Sequence, residues 1–311
     1  MSKQNVRKVI IIGSGPAGLT AALYAARAEL KPLVLAGLNP GGQLMQTTEV
    51  ENFPGFPEGI MGPDLMQNMI KQVERFGTEI LAENVVKVDF VNRPFTVTTE
   101  KGEYKCESVI IATGAEANWL GLPNEQKLRG KGVSACATCD GFFFKGKDLA
   151  VIGGGDSAME EAMFLTKFAN KVTVVHRRHE FKASKIMLTK AKANSKIDFV
   201  TNVSVVDVLG ETAVSGLKIK DNETGQERDL TVQGVFLAIG HTPASKIFKE
   251  VGLETDERGY MKVTNYTHTS IPGVFVAGDV YDSRYRQAVS AAGLGCMAAL
   301  DAEKYLASLE E

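Results

Sequence analysis

A short apolar run, a glycine-rich turn and a segment rich in alanine and leucine follow one another near the start of the chain. They are Val9–Ile12, Gly13–Gly18 and Leu19–Arg27. Four successive apolar residues are typical of a strand buried on both faces, and a segment rich in alanine and leucine favours a helix. The pattern therefore predicts a strand, a tight turn and a helix in close succession.

The turn has the composition of a phosphate-binding loop. Its sequence is Gly13-Ser14-Gly15-Pro16-Ala17-Gly18. Glycines in such a turn allow the sharp reversal, the close approach of a pyrophosphate to the backbone and the close packing of helix on strand. Free N–H groups at the helix start also face the phosphate charge. We expect a dinucleotide here, with a glycine turn that binds no ligand as the alternative.

The same layout recurs in the middle of the chain. Leu149–Ile152 leads into Gly153-Gly154-Gly155-Asp156-Ser157-Ala158, and an apolar-striped segment, Met159–Phe168, follows. Alanine at the last position of the turn is small enough for close contact of helix and strand. Two dinucleotide sites are therefore predicted.

The residues that follow each turn distinguish the two sites. A carboxylate that binds the ribose is expected about twenty residues after the turn. After the second turn, the predicted strand Lys171–Val175 leads instead into His176-Arg177-Arg178. Two guanidinium groups suit a 2′-phosphate, which predicts NADPH rather than NADH at this site. A solvated basic turn is the alternative.

No acid follows the first turn at the expected position. The predicted strand Pro32–Ala36 ends in Gly37, and a polar, glycine-rich loop follows over residues 41–55. We expect this loop to wrap the first nucleotide by other contacts.

Three further apolar runs end in glycine, and they indicate how the chain is divided. Ile110–Gly114 and Phe236–His241 read as the exits from the two nucleotide domains, and Ile271–Asp279 reads as a closing strand before a helical segment, Gln287–Leu306. The fold class predicted is α/β, with two Rossmann-like dinucleotide-binding domains, the second inserted into the first. The predicted boundaries are 1–116 with 246–311 for the first domain and 117–245 for the second.

A pair of cysteines lies shortly before the second turn. Cys136 and Cys139 have the Cys-x-x-Cys spacing, which closes a small reducible ring whose sulfurs exchange with other disulfides once one is ionised. The adjacent Asp140 has a carboxylate that could carry the proton. A zinc half-site is the alternative, but the chain has no second Cys-x-x-Cys, so no metal is predicted. Cys106 and Cys296 are expected to be small core residues.

Composition limits the classes of partner. The chain has 311 residues, enough for two domains, and its formal net charge is −2, which does not favour nucleic acid or an anionic membrane. No apolar run is long enough to span a bilayer, and we expect a soluble, cytoplasmic protein without a signal peptide. The run Phe142-Phe143-Phe144 is either core or an exposed patch for a protein partner, and both readings stay open.

With these residues assembled, the sequence resembles the low-molecular-weight thioredoxin reductases, which are flavoprotein disulfide reductases. The resemblance spans nearly the whole chain. Seven motifs occur in order: Gly13–Gly18, Gly41–Leu44, Cys136–Gly141, Gly153–Ala158, His176–Arg178, Gly278-Asp279 and Arg286–Ala288.

The resemblance implies FAD in the first domain, NADPH in the second and a homodimer. It implies FAD contacts from Ser14, Gly15, Pro16, Ala17, Gln43, Asn52, Asp279, Arg286, Gln287 and Ala288. It implies NADPH contacts from Gly155, Asp156, Ser157, His176, Arg177 and Arg178. Further cofactor-binding candidates are Gly13, Gly18, Gly42, Leu44, Ala112, Thr113, Gly114, Gly153, Ala158, Lys182, Ile239, Gly240 and Gly278. Lys182 is a departure, because the family commonly has arginine in this segment and lysine lacks the planar fork.

The resemblance also implies roles for the redox pair. Cys139 lies against the flavin in this family, Cys136 attacks the substrate disulfide, and Asp140 moves protons to and from the pair. The hypothesis from sequence is an NADPH- and FAD-dependent reductase of thioredoxin. A reductase of another small carrier, or a flavoprotein that senses redox state, is the alternative.

Overall fold

The computed structural model describes residues 6–310. Its strands, labelled in chain order, are β1 Arg7–Ile12, β2 Leu33–Leu35, β3 Glu49–Val50, β4 Ile60–Met61, β5 Glu79–Leu81, β6 Val85–Asp89, β7 Phe95–Thr99, β8 Glu103–Ile111, β9 Ala115–Ala117, β10 Val133–Ser134, β11 Asp148–Ile152, β12 Lys171–His176, β13 Ile197–Thr201, β14 Val203–Leu209, β15 Gly216–Asp221, β16 Glu227–Thr231, β17 Gly234–Leu237, β18 His241–Pro243 and β19 Val274–Val276.

The helices vary from a single turn to twenty residues. The α-helices are α1 Pro16–Arg27, α2 Gly62–Glu74, α3 Pro123–Lys127, α4 Ala137–Asp140, α5 Asp156–Leu165, α6 Lys185–Lys192, α7 Lys246–Lys249 and α8 Ala288–Ala307. Three 3₁₀ segments cover Gly42–Gln46, Gly141–Phe144 and Gly278–Val280.

The chain forms two compact units. One combines the residues up to Glu116 with those from Thr242 onward, and the other is Ala117–His241. The chain leaves the first unit within β9 and returns to it within β18, and these two short strands pair with each other.

The first unit is built on a seven-stranded sheet. Strands β5, β2, β1 and β8 run parallel in that order, and β7 and β6 continue the sheet as antiparallel neighbours. The long strand β8 has two partners on one side, because β7 pairs with its first half and β19 with its second half. The parallel strands therefore end together at one edge.

Side chains of β1 alternate between two cores, one on each face of this sheet. Val9 and Ile11 pack with α1, α2 and α8, while Ile10 and Ile12 pack with residues such as Phe95 and Phe248. All four are buried, which explains the continuous apolar run in the sequence.

Helices α1 and α8 pack especially closely. A Cβ atom added to Gly295 of α8 would lie 2.1 Å from the carbonyl oxygen of Ala17 in α1. Gly293, on the same helix, has no atom within 4 Å of its corresponding position. The close contact between α1 and α8 therefore depends on the lack of a side chain at Gly295, whereas it does not depend on the glycine at position 293.

The second unit contains a five-stranded parallel sheet. Its strand order is β10, β17, β11, β12, β13, with α5 and α6 packed on one face. The antiparallel strands β14, β15 and β16 form a separate sheet whose apolar residues pack on the other face. This three-stranded sheet was not predicted from the sequence.

The strand–turn–helix units lie where the sequence predicts them, with small shifts in their bounds. Helix α1 begins three residues earlier than predicted, and α5 covers Asp156–Leu165 rather than 159–168. The predicted strand 271–279 is shorter, because only Val274–Val276 is extended and a 3₁₀ turn begins at Gly278.

Candidate active site and nucleotide-binding sites

The residues predicted to bind the first nucleotide lie at the carboxyl edge of the first sheet. Ile12 pairs with Ile111, and Ile111 pairs with Val276. The segments that follow these residues therefore start side by side. They include Gly13–Gly18, Ala112–Gly114 and Gly278-Asp279.

The first glycine turn is packed tightly at two positions and open at a third. Gly13 has φ +111°, and a Cβ there would lie 2.2 Å from the carbonyl oxygen of Ala112. A Cβ on Gly18 would lie 2.0 Å from the carbonyl oxygen of Gly13. Gly15 has no atom within 4 Å of its Cβ position. The open position is where the backbone is accessible to a pyrophosphate.

The loop after β2 passes against this turn. A Cβ on Gly42 would lie 3.2 Å from the Cα of Gly15, and the backbone N–H of Gly41 donates to Ser14 Oγ at 3.0 Å. Ser14 is buried, and its hydroxyl donates to the carbonyl of Ala36 at 3.0 Å. Ser14 therefore holds the loop to the turn through its own protein contacts.

Other predicted residues of the first site lie on neighbouring loops of the same unit. Gln43 donates from Nε2 to the carbonyl of Ala115, and Leu44 lies beside it in the 3₁₀ segment. Asn52 donates to Gln287 Oε1 at 3.4 Å, which joins two loops more than two hundred residues apart in sequence. Thr113 Oγ1 donates to the carbonyl of Ala244 at 2.8 Å. Pro16 and Ala17 open α1, Arg286 precedes α8, and Ala288 begins it.

Asp279 provides a test of whether this unit fits FAD. Its carboxylate is buried, and the Oδ1 atom has no hydrogen-bond partner among the described residues. Desolvation and, to a smaller extent, the nearby Asp282 raise the pKa of Asp279 to about 7 against an opposing effect of Arg286. A buried acceptor without a donor costs free energy, which a hydroxyl-bearing ligand would offset. The residues therefore fit FAD, whose sugar hydroxyls are donors of this kind.

The carboxyl edge of the second sheet has the same construction. Ile152 pairs with Val175 on one side and Leu237 on the other. A Cβ on Gly153, which has φ +158°, would lie 2.4 Å from the carbonyl oxygen of Ala238, while Gly155 has open space at its Cβ position. Asp156, Ser157 and Ala158 then form the first turn of α5. Ile239 and Gly240 follow β17, and their carbonyls accept hydrogen bonds from Asn118.

Three cations are exposed near this edge. Arg177 and Arg178 directly follow β12, and Lys182 lies four residues further on. Among the ion pairs of residues 6–310, none involves these three side chains. Exposed cations without a protein partner are suited to a phosphate ligand.

His176 is held differently from the two arginines. Its ring is 9% exposed, stacks on Phe181 with centroids 4.9 Å apart, and bonds through Nε2 to the carbonyl of Glu180 at 3.1 Å. A Cβ on Gly154 would lie 2.2 Å from this ring. Burial lowers the pKa of His176. The imidazole is therefore part of the packing under the loop that carries Lys182.

Cys136 and Cys139 form a disulfide in the second unit. Helix α4 begins directly after Cys136, and its short turn is closed by N–H groups of Cys139 and Asp140 that donate to the Cys136 carbonyl at 3.3 and 3.1 Å. The hydroxyl of Thr138 lies 3.4 Å from the Cys136 sulfur. Cys139 is exposed and Cys136 is half-buried.

Asp140 is the acid nearest to this pair in sequence. Burial raises the pKa of its carboxyl group, and a hydrogen bond with Ser134 acts in the opposite direction. A raised pKa makes this carboxyl group a better candidate for proton transfer to and from the cysteine pair than an ordinary aspartate. Ser134 and Thr138 were not selected from the sequence, because single hydroxyl residues carry no motif of their own.

The run Phe142-Phe143-Phe144 was expected to be either core or an exposed patch, and each description applies to part of it. Phe144 is buried against Phe236, while Phe142 is 57% exposed and Phe143 is 37% exposed. Two adjacent exposed rings, three residues from Cys139, make an apolar surface beside the disulfide.

The remaining cysteines differ in burial. Cys106 is fully buried in β8, and desolvation raises its thiol pKa to about 12. The expectation that Cys296 is a core residue is wrong, because it is half-buried in α8 rather than buried. Small residues recur along α8, so the sequence did not indicate which face of this helix is covered by the rest of the protein.

No helix in residues 6–310 is long and apolar enough to cross a membrane. Within the same residues, no three His, Cys, Asp or Glu side chains are grouped as metal ligands.

Comparison with known proteins agrees with this construction. A family model described as pyridine nucleotide-disulphide oxidoreductase matches residues 7–295. Thioredoxin reductase from Streptomyces clavuligerus is 55% identical over 99% of this chain and 96% of its own length. A bifunctional thioredoxin reductase/thioredoxin from Mycobacterium leprae is 56% identical over 98% of this chain, which spans 67% of that protein.

A solved structure is similar over the whole fold. The crystal structure of thioredoxin reductase from Streptococcus pyogenes has a TM-score of 0.93 and 42% identity, covering 98% of this chain and all of the other. Sequence, fold and site geometry thus agree, and the chain belongs to the pyridine nucleotide-disulphide oxidoreductase family.

Proposed function

We propose that this chain is an NADPH-dependent, FAD-containing reductase of the thioredoxin disulfide. The observation that carries the proposal is a disulfide, Cys136–Cys139, followed by the half-buried acid Asp140. This pair lies in the same compact unit as a glycine turn that is followed by two exposed arginines. The redox pair and a nucleotide turn that could supply its electrons occur together in this unit.

We propose that residues 1–116 and 246–311 hold FAD and that residues 117–245 hold NADPH. For FAD, the open backbone at Gly15 would face the pyrophosphate and the buried carboxylate of Asp279 would accept from a hydroxyl. For NADPH, the open backbone at Gly155 would face the pyrophosphate, and Arg177, Arg178 and Lys182 would bind the 2′-phosphate. When bound, FAD supplies the conversion between hydride transfer from NADPH and disulfide reduction.

Disulfide exchange is the step that the chain's own residues perform. In the reduced protein, the Cys136 thiolate attacks one sulfur of the substrate disulfide, forming a mixed disulfide and releasing the other sulfur as a thiolate. The Cys139 thiolate then attacks Cys136, which re-forms the Cys136–Cys139 disulfide and releases the second substrate sulfur. The substrate gains two electrons and two protons, and the dithiol loses them. Asp140 is placed to move these protons.

The order of attack rests on the family resemblance. Exposure by itself does not favour Cys136 as the attacking residue, because Cys139 is the more exposed of the two. The hydrogen bond from Thr138 does favour it, because a hydroxyl 3.4 Å from the Cys136 sulfur would stabilise its thiolate.

Thioredoxin is the substrate proposed. The Mycobacterium leprae relative is named as carrying a thioredoxin together with the reductase, which supports this choice. The exposed rings of Phe142 and Phe143 offer an apolar contact for a small protein beside the disulfide.

NADPH oxidation against a panel of purified carriers tests the proposal. We expect multiple turnovers with excess thioredoxin and slower rates with a glutaredoxin or with a peroxidase subunit. A single stoichiometric reduction, without turnover on any carrier, would instead support a redox sensor.

Two further assignments rest on the family resemblance and on the sequence pattern, respectively. We propose a homodimer, to be tested by light scattering of the FAD-loaded protein, and a cytoplasmic location, to be tested by cell fractionation.

A further inference from the structure

The chain passes between the two sheets of the second unit at a single residue, Asn202. Strand β13 ends at Thr201 and β14 begins at Val203, and Asn202 between them has φ +58°. On the neighbouring strand β15, Asp221 pairs with Val203, so the next residue, Asn222, lies opposite Asn202. The backbone N–H of Asn222 donates to the carbonyl of Asn202 at 2.9 Å. The two asparagines therefore continue the pairing of β14 with β15 as far as the end of β13.

Both asparagines also bond to the turn that carries the two arginines. The side-chain Nδ2 of Asn222 donates to the carbonyl of Arg177 at 2.9 Å, and the backbone N–H of Asn202 donates to the carbonyl of Arg178 at 3.2 Å. The peptide groups that follow Arg177 and Arg178 are each held by one of these bonds. The backbone on either side of Arg178 is therefore fixed, although both arginine side chains are exposed.

A second bond holds the side chain of Asn222 in this orientation. Its Oδ1 accepts from Ser204 Oγ at 2.7 Å, which leaves the amide nitrogen to bond to Arg177. The loop that carries Asn222 also has hydrogen bonds of its own. The carboxylate of Asp221 accepts from the N–H of Glu223 at 2.9 Å and from that of the residue after it at 2.8 Å. Asn222 is therefore a preformed donor to the arginine turn.

We propose that Asn222 is a positioning residue for the preference for NADPH. It holds the backbone of Arg177, so that the guanidinium groups of Arg177 and Arg178 start from fixed positions when they bind the 2′-phosphate. A site that is held in place before binding loses less conformational entropy on binding, and its affinity is correspondingly higher. The inference rests on the proposed NADPH site, and it gives the sheet β14–β16 a role in cofactor selection.

The charged pair on the same loop does not provide an equivalent restraint. His179 Nε2 lies 2.8 Å from Glu223 Oε1, but 65% of the first side chain and 70% of the second are exposed. Exposed ion pairs contribute little to stability, because water and salt screen them. The bond from Asn222 holds the main chain directly. Because it too is exposed, its loss should correspond to about threefold to tenfold in affinity.

Calorimetry with 2′,5′-ADP and 5′-AMP, which differ only in the 2′-phosphate, measures the effect in the FAD-loaded protein. Asn222→Ala should weaken binding of 2′,5′-ADP by about threefold to tenfold and leave that of 5′-AMP unchanged, because the arginines bind only the 2′-phosphate. Asn170→Ala is the matched control, since Asn170 Nδ2 donates to the carbonyl of Gly146 at 2.6 Å elsewhere in the same unit. This control should retain both wild-type affinities.

A double-mutant cycle separates positioning from general damage to the fold. If Asn222 acts through the arginines, Asn222→Ala should cause no further loss of 2′,5′-ADP affinity when Arg177 and Arg178 are both alanine. In steady-state kinetics, the KM for NADPH should rise by the same factor as the calorimetric constant, while kcat and the KM for NADH stay unchanged. A merely structural role would affect both cofactors alike.

Equal 2′,5′-ADP affinity in Asn222→Ala and in the wild type would overturn the inference, and so would equal weakening of both nucleotides. If the variant with both arginines replaced also binds 2′,5′-ADP like the wild type, the proposed NADPH site fails as well. If near-UV circular dichroism shows that Asn222→Ala does not fold, Asn222→Leu, with a similar shape and no hydrogen-bonding group, decides the question by the same titration.

Discussion

The carboxylate of Asp156, at the start of α5, accepts a hydrogen bond of 2.7 Å from the backbone N–H of Ser184. The N–H groups of Lys182 and Ala183 in turn donate to the carbonyl of Gly154, at 2.8 and 3.0 Å. The loop that carries Lys182 is thus fastened to the nucleotide turn at three points.

Asp156→Ala should loosen this loop and weaken NADPH more than NADH. Loss of a hydrogen bond to a carboxylate costs about 1.5–3 kcal/mol, so the KM for NADPH should rise by about tenfold or more. Steady-state kinetics with both cofactors measures the effect, and Asp198→Ala, an exposed acid of the same unit, is the control. An unchanged KM for NADPH would show that this bond does not hold the loop for binding, and a lower KM would show that the Asp156 carboxylate mainly repels the phosphates.

Replacing both Arg177 and Arg178 with alanine should abolish the preference for NADPH. Each charge-assisted bond to the 2′-phosphate is worth about 1.5–3 kcal/mol, so kcat/KM with NADPH should fall by two orders of magnitude or more, while NADH is little affected. Lys192→Ala on α6 controls for the loss of surface charge. A retained preference would show that the 2′-phosphate is bound elsewhere.

Gly155→Ala should abolish NADPH binding without destabilising the folded protein. The Cβ position is open and the backbone is extended, with φ −99° and ψ −177°, so the free energy of unfolding should change by less than about 0.5 kcal/mol. NADPH binding, measured by calorimetry, should nevertheless be lost, because the methyl group occupies the space that the pyrophosphate needs. Gly15→Ala is the corresponding test for FAD. Normal cofactor affinity in both variants would contradict the placement of both sites.

Cysteine substitutions should distinguish the transfer of electrons from NADPH to the flavin from their transfer to thioredoxin. In Cys136→Ser and Cys139→Ser, NADPH should still bleach the flavin absorbance, while turnover of thioredoxin should be lost. If Cys136 attacks the substrate, only reduced Cys139→Ser should form a stable mixed disulfide with a single-cysteine thioredoxin activated by 5-thio-2-nitrobenzoate. Trapping by Cys136→Ser instead would reverse the two roles.

Two glycines of α8 should respond oppositely to the same change. Gly295→Ala forces a methyl group against the Ala17 carbonyl and should destabilise the protein by about 1–3 kcal/mol. Gly293→Ala meets open space and should stabilise the helix by about 0.5–1 kcal/mol. Chemical denaturation measures both, and equal effects would argue against the close contact of α1 and α8.

Local patterns were sufficient to predict the strand, the glycine turn and the helix of each candidate nucleotide site. The strand before each turn is a continuous apolar run because both faces of its sheet are covered, and Gly18 is fixed by a contact within the turn itself, with the carbonyl of Gly13. The positions of Arg177 and Arg178 follow from the end of β12. Such features depend on periodicity and composition, which the sequence displays directly.

Other features depend on residues that are distant in sequence. The bond between Asp156 and Ser184 joins the start of α5 to a later loop, and the pairing of Asn52 with Gln287 joins the two halves of the first unit. The sheet β14–β16 is made of half-exposed strands whose polar and apolar residues form no clear run. No local pattern specifies these contacts, because tertiary packing selects them after the elements form.

The interrupted first unit has a consequence for synthesis. Its sheet is completed only when β19 joins β8, and its helical face only when α8 covers α1, and both of these elements are encoded after the inserted unit. Because domains fold as units while the chain emerges, the segment Ala117–His241 is complete first, although it starts second. Until β19 and α8 have been synthesised, the N-terminal segment of the first unit has an uncovered apolar face. With FAD in the first unit, as proposed, binding of FAD is therefore expected only after α8 has been synthesised.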